Sequence, residues 1–321
     1  MFTYDKNIRL LHSRLTFDAQ RRSEVCCVSH AHADHIRLHD FVYATAPTLA
    51  FMHARLGKKV RGQSVAFAQT FEVDGYRISF HPAGHILGSA QILAEREGRR
   101  LLYTGDFKLE ESATAEPMQI VPCDILIMEC TFGRPQYKFP SRAELVEKLC
   151  DWVAHALHEG RTPVIHAYAL GKAQEAIKIL ADNGFKLLAH RTVMPFVRLY
   201  EKFGRHLGEI ELLRSDSLVE GKIIIAPHNA REERMLKRML HRKTMLLSGW
   251  AVDAGFKYRS RVDAALPFSD HADFPALLEF VRSVNPKKIF TTHGPKEFAA
   301  YLRGLGYSAQ PLEGTKQGEL F

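Results

Sequence analysis

The segment that most constrains this chain is HAHADH, His30 to His35, which places three histidines and an aspartate within six positions. It follows the apolar run VCCV, which is typical of a strand. Residues two apart in an extended strand share a face, so His30 and His32 can point at one ion. Asp34 and His35 fall in the turn that follows, where they can face a second ion. The pattern therefore predicts two neighbouring cations on one loop, and the alternative is a chance cluster on a solvated turn.

Two cations need more donors than this loop offers, and three further candidates occur where strands are predicted to end. They are His85 in HPAGHILGS, Asp106 in LLYTGDF and His293 in IFTTHG. Sheet-based sites usually lie at the ends of strands. A carboxylate such as Asp106 can bridge two metals, and imidazoles with carboxylates suit Zn²⁺, with Mn²⁺ and Fe²⁺ as alternatives. A lone histidine at a strand end is more often structural than a ligand, so the prediction depends on the combination of these residues.

Composition indicates a folded chain with a basic balance. Hydrophobic residues make up 46% and charged residues 25%, and the 44 Lys and Arg exceed the 36 Asp and Glu to give a formal charge of +8. Such an excess favours a polyanionic partner if it is gathered on one face. The five cysteines form no CxxC pair, which is typical of a reducing compartment. No apolar run reaches the roughly 18 residues of a membrane span, so we expect a cytoplasmic protein without a membrane partner.

The texture of the sequence changes along the chain. Short apolar runs of β-forming residues dominate the first third and predict strands. From Ser141, apolar residues recur three and four apart behind a serine cap and before Gly160, which predicts an amphipathic helix. Strands then alternate with helices, as in a parallel α/β sheet. These changes predict a strand-rich unit, residues 1–135, an α/β insert, residues 136–255, and a closing part of the first unit, residues 256–321.

Several segments, in this order, resemble the motifs of a known fold. HAHADH, GHILGS, TGDF and the late THG are similar to the metallo-β-lactamase fold, and ECTFG, AYALGKAQE and SDHADF resemble motifs of its β-CASP nucleases. The resemblance covers nearly the whole chain. It implies the α/β fold class, with a metallo-β-lactamase αββα sandwich and an inserted β-CASP α/β domain. Within this group the chain most resembles bacterial ligase-associated DNA exonuclease-like proteins, although compact RNA 3'-end processing relatives share much of the wording.

The resemblance implies how the candidate ligands divide between two metals. One metal would be bound by His30, His32 and His85, the other by Asp34, His35 and His293, with Asp106 between them. It also implies that Asp18, in LTFDAQ, holds the ligand loop in place, the alternative being an ordinary aspartate in a surface turn.

The resemblance also implies a set of catalytic residues. Glu129 matches the acidic β-CASP motif and His271 the histidine of the next motif, while Asp34 and Asp106 act as metal ligands. Phosphodiester hydrolysis needs a proton for the departing alkoxide, which His271 could deliver if Glu129 orients and charges it. Cys130 stands where the family usually has Ser or Thr, which puts in doubt a hydrogen bond beside Glu129.

Two segments are candidates for binding the substrate. In VIHAYALGKAQE, a strand leads into a helix whose first amides, near Gly171, and the adjacent Lys172 could receive a phosphate. The alternative is a helix start without a ligand. In GRPQYKFP, Arg134, Tyr137 and Lys138 could add phosphate contacts and a stacking surface for a base, the alternative being an ordinary exposed loop.

These inferences predict a nuclease that uses two Zn²⁺, with Mn²⁺ or Fe²⁺ as alternatives. We expect a DNA exonuclease of DNA repair, with DNA favoured over RNA and a functional association with a DNA ligase and helicase as a hypothesis. An RNA-processing nuclease of the same fold is the nearest alternative. A small-molecule thioester or lactone hydrolase is more remote, because a small substrate needs no second domain, and a non-catalytic binding module conflicts with the complete ligand set.

Overall fold

The structure, a computed structural model, describes residues 1–232, 236, 239 and 241–313. It consists of two compact units. The sandwich unit comprises residues 1–137 together with the described residues from His271 onwards, and the insert unit is Lys138–Asp270. The second boundary therefore lies beyond the predicted position at residue 255. The reason is that the strand Ala264–Leu266 pairs with Arg242–Leu247 and so continues the sheet of the insert.

The strands are short, as the sequence predicts. In the sandwich unit they are β1 Phe2–Tyr4, β2 Ile8–Leu10, β3 Leu15–Phe17, β4 Val25–Cys27, β5 Phe41–Ala44, β6 Gly62–Ser64, β7 Thr70–Val73, β8 Tyr76–Pro82, β9 Ala90–Arg96, β10 Arg99–Tyr103, β11 Ile125–Glu129, β18 Lys288–Thr292 and β19 Ala309–Pro311. In the insert unit they are β12 Thr162–His166, β13 Lys186–Ala189, β14 Ile210–Leu212, β15 Lys222–Ala226, β16 Arg242–Leu247 and β17 Ala264–Leu266.

The α-helices divide between the two units. Within the part of the chain that the structure describes they are α1 Ala46–Leu56, α2 Arg142–His158, α3 Lys172–Asp182, α4 Met194–Lys202, α5 Phe256–Ser260, α6 Phe274–Val284 and α7 Glu297–Gly304, with 3₁₀ turns at His228–Glu232 and Gly249–Val252. None of the helices in these ranges is long and apolar enough to span a bilayer.

One six-stranded sheet and one seven-stranded sheet form the sandwich unit. The alternating side chains of their strands define two cores. The sheet orders are β1-β2-β3-β4-β5-β6 and β19-β18-β11-β10-β9-β8-β7. In β10, Leu101 and Tyr103 join Phe17 and Ile78 in a core shared by both sheets. Leu102, on the opposite face of β10, joins the core under α6 and α7. This period of two produces a layered arrangement of helices outside facing sheets, and the predicted fold class is confirmed.

Local sequence signals explain where the helices begin. Ser141 and Glu144 form a reciprocal capping box at the start of α2, and Asp273 accepts a hydrogen bond from the Ala276 amide at the start of α6. The start of α2 agrees with the sequence prediction. The sequence reading missed α1, which begins behind Thr45 with Pro47 in its first turn.

The insert unit contains a six-stranded sheet with the order β14-β13-β15-β12-β16-β17. Each of its strand pairs is parallel. Valine, isoleucine and leucine side chains of β12, β13 and β15 are buried in its core, together with Leu236. The predicted parallel α/β sheet is thus present, and loops that follow its strands meet at one edge.

Candidate active site

Parallel strands bring the candidate residues of the sandwich unit to one edge of each sheet. In the second sheet β10, β11 and β18 are parallel neighbours, and Glu129 pairs with Thr292 at their carboxyl ends. Asp106 follows β10, Glu129 ends β11 and His293 follows β18. In the first sheet β3 and β4 are parallel, so Asp18 lies beside the start of the HAHADH loop. Residues distant in sequence therefore meet because their strands end together.

Asp18 holds the HAHADH loop in place through hydrogen bonds. It occupies a left-handed backbone conformation with a φ of 40° just after β3. Its Oδ1 accepts the Ser29 amide at 2.7 Å, and its Oδ2 lies 2.7 Å from His35 Nδ1 and accepts the Tyr103 hydroxyl at 2.9 Å. A carboxylate on Nδ1 leaves Nε2 of that imidazole free to face an ion, which is the usual arrangement behind a metal-bound histidine.

Four of the candidate ligands form one compact group. His30, His32, His85 and Asp106 each offer an atom within 4.8 Å of the others. His30 Nε2 lies 3.4 Å and His85 Nε2 3.8 Å from Asp106 Oδ2, and His32 Nδ1 lies 2.9 Å from His85 Nε2. Three imidazoles and one carboxylate thus converge with the ligand number of a tetrahedral zinc site.

A second group adjoins the first through the same aspartate. Asp34, His35 and His293 also place ligand atoms within 4.8 Å of one another. His35 Nε2 lies 3.8 Å from Asp34 Oδ2 and 3.4 Å from Asp106 Oδ2, and His293 Nδ1 lies 3.7 Å from Asp106 Oδ1. The structure therefore brings together all seven residues predicted as ligands, with Asp106 between the two groups.

The buried atoms at the centre fit cation binding. Within the described part of the chain, His30 Nε2, His35 Nε2 and Asp106 Oδ1 are buried without a hydrogen-bond partner. An unsatisfied buried polar atom costs free energy unless an ion or water meets it. These atoms belong to residues that the predicted metals would contact, and the donor set is nitrogen and oxygen without thiolate. The residues present therefore fit divalent metal ions.

Opposite charges interact strongly in this cluster. Burial, followed by the neighbouring His35, lowers the pKa of His30 well below its ordinary value. Burial opposes protonation of His35, but Asp106 and Asp18 outweigh it and raise the pKa of His35 well above its ordinary value. Burial likewise opposes ionisation of Asp106, yet His35 and His30 lower its pKa well below the ordinary range. A cation would replace the proton of His35, so metal binding should release protons.

His271 and Glu129 form a hydrogen-bonded pair beside the candidate metal ligands. His271 Nδ1 lies 2.9 Å from Glu129 Oε1, and the imidazole rings of His271 and His85 lie 4.7 Å apart at an angle of 58°. Glu129 is almost fully buried and also accepts the Phe107 amide at 2.9 Å. A carboxylate held in this way orients the histidine through Nδ1 and stabilises its charged form. Nε2 is the second ring nitrogen of this histidine and the one that does not face Glu129.

Thr131 is a hydrogen-bond partner of Glu129 that was not predicted from the sequence. Its hydroxyl donates to Glu129 Oε2 at 2.5 Å, and its amide lies 3.2 Å from the same oxygen. The neighbouring Cys130 instead turns its thiol toward the carbonyls of Thr292 and Pro295, and burial raises the pKa of this thiol to about 12. The hydrogen bond that the cysteine put in doubt is therefore supplied by the next residue. The adjacent threonine in ECTFG was the available signal.

Three predicted substrate residues lie in one exposed segment. Arg134 and Lys138 are exposed, and Arg134 Nη2 lies 3.9 Å from Glu297 Oε2. Tyr137 is half-buried, and its ring lies 5.1 Å from that of Phe132, which in turn lies 6.1 Å from His271. The side chains of Arg134 and Lys138 can therefore reach a ligand from solvent, whereas that of Tyr137 is partly packed against the protein.

The predicted phosphate cradle at the start of α3 is largely occupied by the protein itself. Gly171 has the positive φ of 95° that a glycine tolerates, but its amide donates to Gln174 Oε1 at 2.7 Å. The Lys172 ammonium donates to the carboxylate of Asp270, and both side chains are buried. The structure thus corrects the predicted role of Lys172 as a phosphate contact, because a carboxylate 98 residues away already neutralises it.

Comparisons with known proteins agree with this geometry. Residues 258–310 match the family described as the Zn-dependent metallo-hydrolase RNA specificity domain. A probable DNA ligase of Opitutus terrae is 40% identical over 299 residues, which are 91% of this chain and 29% of that protein. The RNase aCSPSF2 of Saccharolobus solfataricus is 27% identical over 58% of this chain and 42% of its own length. The RNase J-like protein of Methanocaldococcus jannaschii is 33% identical over 48% of this chain and 42% of its own.

A solved structure shares the fold. The crystal structure of a protein of unknown function from Enterococcus faecalis V583 superposes with a TM-score of 0.63 at 14% identity, over 92% of this chain and 80% of that one. The chain spans less than half the length of the curated relatives given above. Together, the fold and the ligand cluster place the chain in the metallo-β-lactamase fold class with a candidate site for divalent metal ions. Within that class the chain belongs to the β-CASP nuclease family.

Proposed function

We propose that this chain hydrolyses phosphodiester bonds of DNA from an end, using two divalent cations, in DNA repair. The observation that carries the proposal is the meeting of His30, His35 and Asp106, whose central atoms are buried without protein partners, with the His271–Glu129 pair. This arrangement supports a function in which cations bind beside a histidine that can move a proton. Zn²⁺ is the favoured ion, with Mn²⁺ or Fe²⁺ as alternatives.

The chemistry divides between the cations and the side chains. When bound, two such ions ionise a water and neutralise the charge of the phosphoryl oxygens. His30, His32 and His85 would hold one ion, Asp34, His35 and His293 the other, and Asp106 would face both. His271 would deliver a proton from Nε2 to the leaving oxygen, since Glu129 accepts from Nδ1 and favours the imidazolium.

A polymer substrate accounts for features outside this centre. The chain carries an excess of basic residues, and Arg134 and Lys138 are exposed on the segment that follows Glu129 and Thr131. Cationic side chains on an exposed segment can meet phosphates without reading sequence. We infer that this segment contributes phosphate contacts, with the partly packed Tyr137 as a surface for a base.

The preference for DNA is supported by one similarity. The relative that matches 91% of this chain is named a probable DNA ligase, and the match covers only 29% of it. A region similar to almost this entire chain is thus part of a longer protein whose name specifies DNA joining. A nuclease that trims ends would prepare substrates for such a reaction, which also supports the proposed association with a ligase.

RNA is the second candidate substrate because a different observation favours it. The family that matches residues 258–310 is described as an RNA specificity domain, and two relatives are named RNase aCSPSF2 and RNase J-like protein. The exposed basic side chains do not distinguish DNA from RNA, since phosphate contacts are common to both. The alternative therefore differs in the substrate and leaves the chemistry unchanged.

A single time course separates the candidates. Purified protein with Zn²⁺ or Mn²⁺ is incubated with matched single- and double-stranded DNA and RNA, labelled at either end, with Asp106→Ala as the control. We expect faster shortening of DNA from one end and no cleavage by the variant. Faster degradation of RNA would favour the second candidate, and equal activity of the variant would contradict the proposed centre.

A further inference from the structure

Two residues in the first turn of α3 form ion pairs, one with both side chains buried and one with a partly exposed arginine. Lys172 pairs with Asp270, and their side chains are 6% and 1% exposed. Glu175 pairs with Arg142 at 2.5 Å, and these side chains are 3% and 27% exposed. All four residues belong to the insert unit. Removing one partner of a buried ion pair strongly destabilises the folded protein. Each pair therefore holds together the two chain segments that carry its residues.

Only one of these pairs is attached to a residue of the active site. Asp270 immediately precedes His271 in the chain, whereas Arg142 lies in the first turn of α2. The ammonium of Lys172 thus holds the peptide that leads directly into His271. At the other end of this residue, Glu129 holds the imidazole at Nδ1. The position of His271 Nε2 is set by the backbone and the ring together, so both contacts determine where its proton can go.

We propose that Lys172 is a positioning residue for His271 and acts through its ion pair with Asp270. The role of His271 as proton donor rests on the function proposed above. The lysine fixes the backbone of residues 270 and 271, so that the imidazole meets Glu129 and keeps Nε2 directed at the leaving oxygen. Lys172 itself does not touch the substrate.

The surroundings of Lys172 agree with this assignment. Its Nζ lies 4.9 Å from the centre of the Tyr168 ring, so an aromatic face and a carboxylate both contact the ammonium. A phosphate would have to displace the Asp270 carboxylate and leave that carboxylate buried without its cation. The alternative role, a direct phosphate contact, is therefore opposed by the same burial that makes the pair a good anchor.

Kinetic constants distinguish positioning from phosphate binding. In the metal-loaded full chain, Lys172→Met should lower kcat on an oligonucleotide by about tenfold or more, because a displaced general acid forfeits part of the roughly 10²- to 10⁴-fold that such groups supply. The KM should stay within about twofold. Lys172→Arg, which keeps a cation for Asp270, should restore most of kcat. The matched control Glu175→Gln breaks the other pair in the same turn and should leave kcat within about twofold.

Two further arms test whether the loss passes through His271. On a p-nitrophenyl phosphodiester, whose leaving group departs as a stable anion, Lys172→Met should be nearly as active as the unchanged protein. The combined variant Lys172→Met/His271→Ala should be no slower on DNA than His271→Ala alone. A raised KM with unchanged kcat, an equal loss in Glu175→Gln, or additive losses in the combined variant would each overturn the proposal.

A spectroscopic readout works without turnover. In zinc-loaded, ¹⁵N-histidine-labelled protein, the ring signal that disappears in His271→Ala should shift in Lys172→Met and stay in place in Glu175→Gln. If Lys172→Met does not fold, Asp270→Asn weakens the same pair with little change of shape and is expected to give the same shift. An unshifted His271 signal overturns the inference. If no nucleic acid is cleaved, the proposed function fails while this signal still decides the positioning role.

Discussion

Two buried polar regions of the molecule treat their charges in opposite ways. At the strand ends of the sandwich unit, His30 Nε2, His35 Nε2 and Asp106 Oδ1 are buried without a hydrogen-bond partner in the described residues. In the first turn of α3 in the insert unit, Lys172 and Glu175 are buried against the opposite charges of Asp270 and Arg142. The first region gathers ligand-type atoms that fit an added cation, whereas in the second each buried charge faces a side chain of opposite charge. Buried charge therefore marks a ligand site only where the protein leaves it unmatched.

The largest effect should follow from removing the aspartate between the two ligand groups. Asp106→Ala takes away a ligand of both proposed cations, whose Lewis acidity supplies several kcal/mol, so cleavage should fall by at least about a thousandfold. Bound metal per chain, measured by inductively coupled plasma mass spectrometry, should fall in parallel. If metal content and activity were both unchanged, Asp106 would not be a metal ligand, and the contrast between the ligand cluster and the ion pairs of α3 would fail.

The next effect separates the proton donor from the metal ligands. His271→Ala should lower kcat by about 10²- to 10⁴-fold because the leaving oxygen loses its acid. Metal content should not change, since the seven ligand residues are intact. The measurement is a rate assay on end-labelled DNA alongside metal analysis. A variant that loses its metal would show that His271 belongs with the ligands and is not an acid beside them.

A smaller effect is expected one contact away from the cations. Asp18→Asn keeps the shape of the side chain but weakens its bond to His35 Nδ1, and such changes typically lower metal affinity by about 10- to 100-fold. Competition with a chromogenic zinc chelator measures this affinity. The matched control is Asp74→Asn, which lies in an exposed ion pair with Arg14 and should leave the affinity unchanged. Equal affinities for all three proteins would contradict the proposed support of the HAHADH loop.

The smallest effect concerns the paired region and leaves the chemistry intact. Arg142→Met removes the cation that pairs with the buried Glu175 carboxylate and should lower the free energy of unfolding by about 2 kcal/mol, less than for a fully buried pair because Arg142 is partly exposed. Arg142→Met/Glu175→Met removes both charges and should regain most of that loss. Urea unfolding measures both values. A double variant less stable than the single one would show that the pair contributes net stability.

The sequence predicted the parts of this molecule that depend on local pattern. Short apolar runs placed Asp106 and His293 at strand ends, and a serine cap placed the start of α2. Parallel pairing then brings the strand ends together without further information. The helix α1 was missed because Ala46–Leu56 continues the short apolar runs of the first third, and the proline of its first turn looks like a loop signal.

Contacts over long sequence separation could not be predicted in the same way. A lysine after a glycine turn is equally suited to a phosphate and to a carboxylate, and only the fold brings Asp270 to Lys172. The boundary at residue 270 has the same origin, since β17 extends the sheet of the insert by pairing with β16. The sequence shows that Thr131 lies two residues after Glu129. It does not show that the Thr131 hydroxyl donates to the Glu129 carboxylate while the Cys130 thiol faces the Thr292 carbonyl.

The central claim is that two cations bind side by side where these strands end, and anomalous diffraction at the zinc edge tests it most directly. Crystals grown with Zn²⁺ should show two neighbouring peaks, one among His30, His32 and His85 and the other among Asp34, His35 and His293, with Asp106 touching both. A map with no peak at these imidazoles, or with zinc bound only elsewhere in the molecule, would contradict the account.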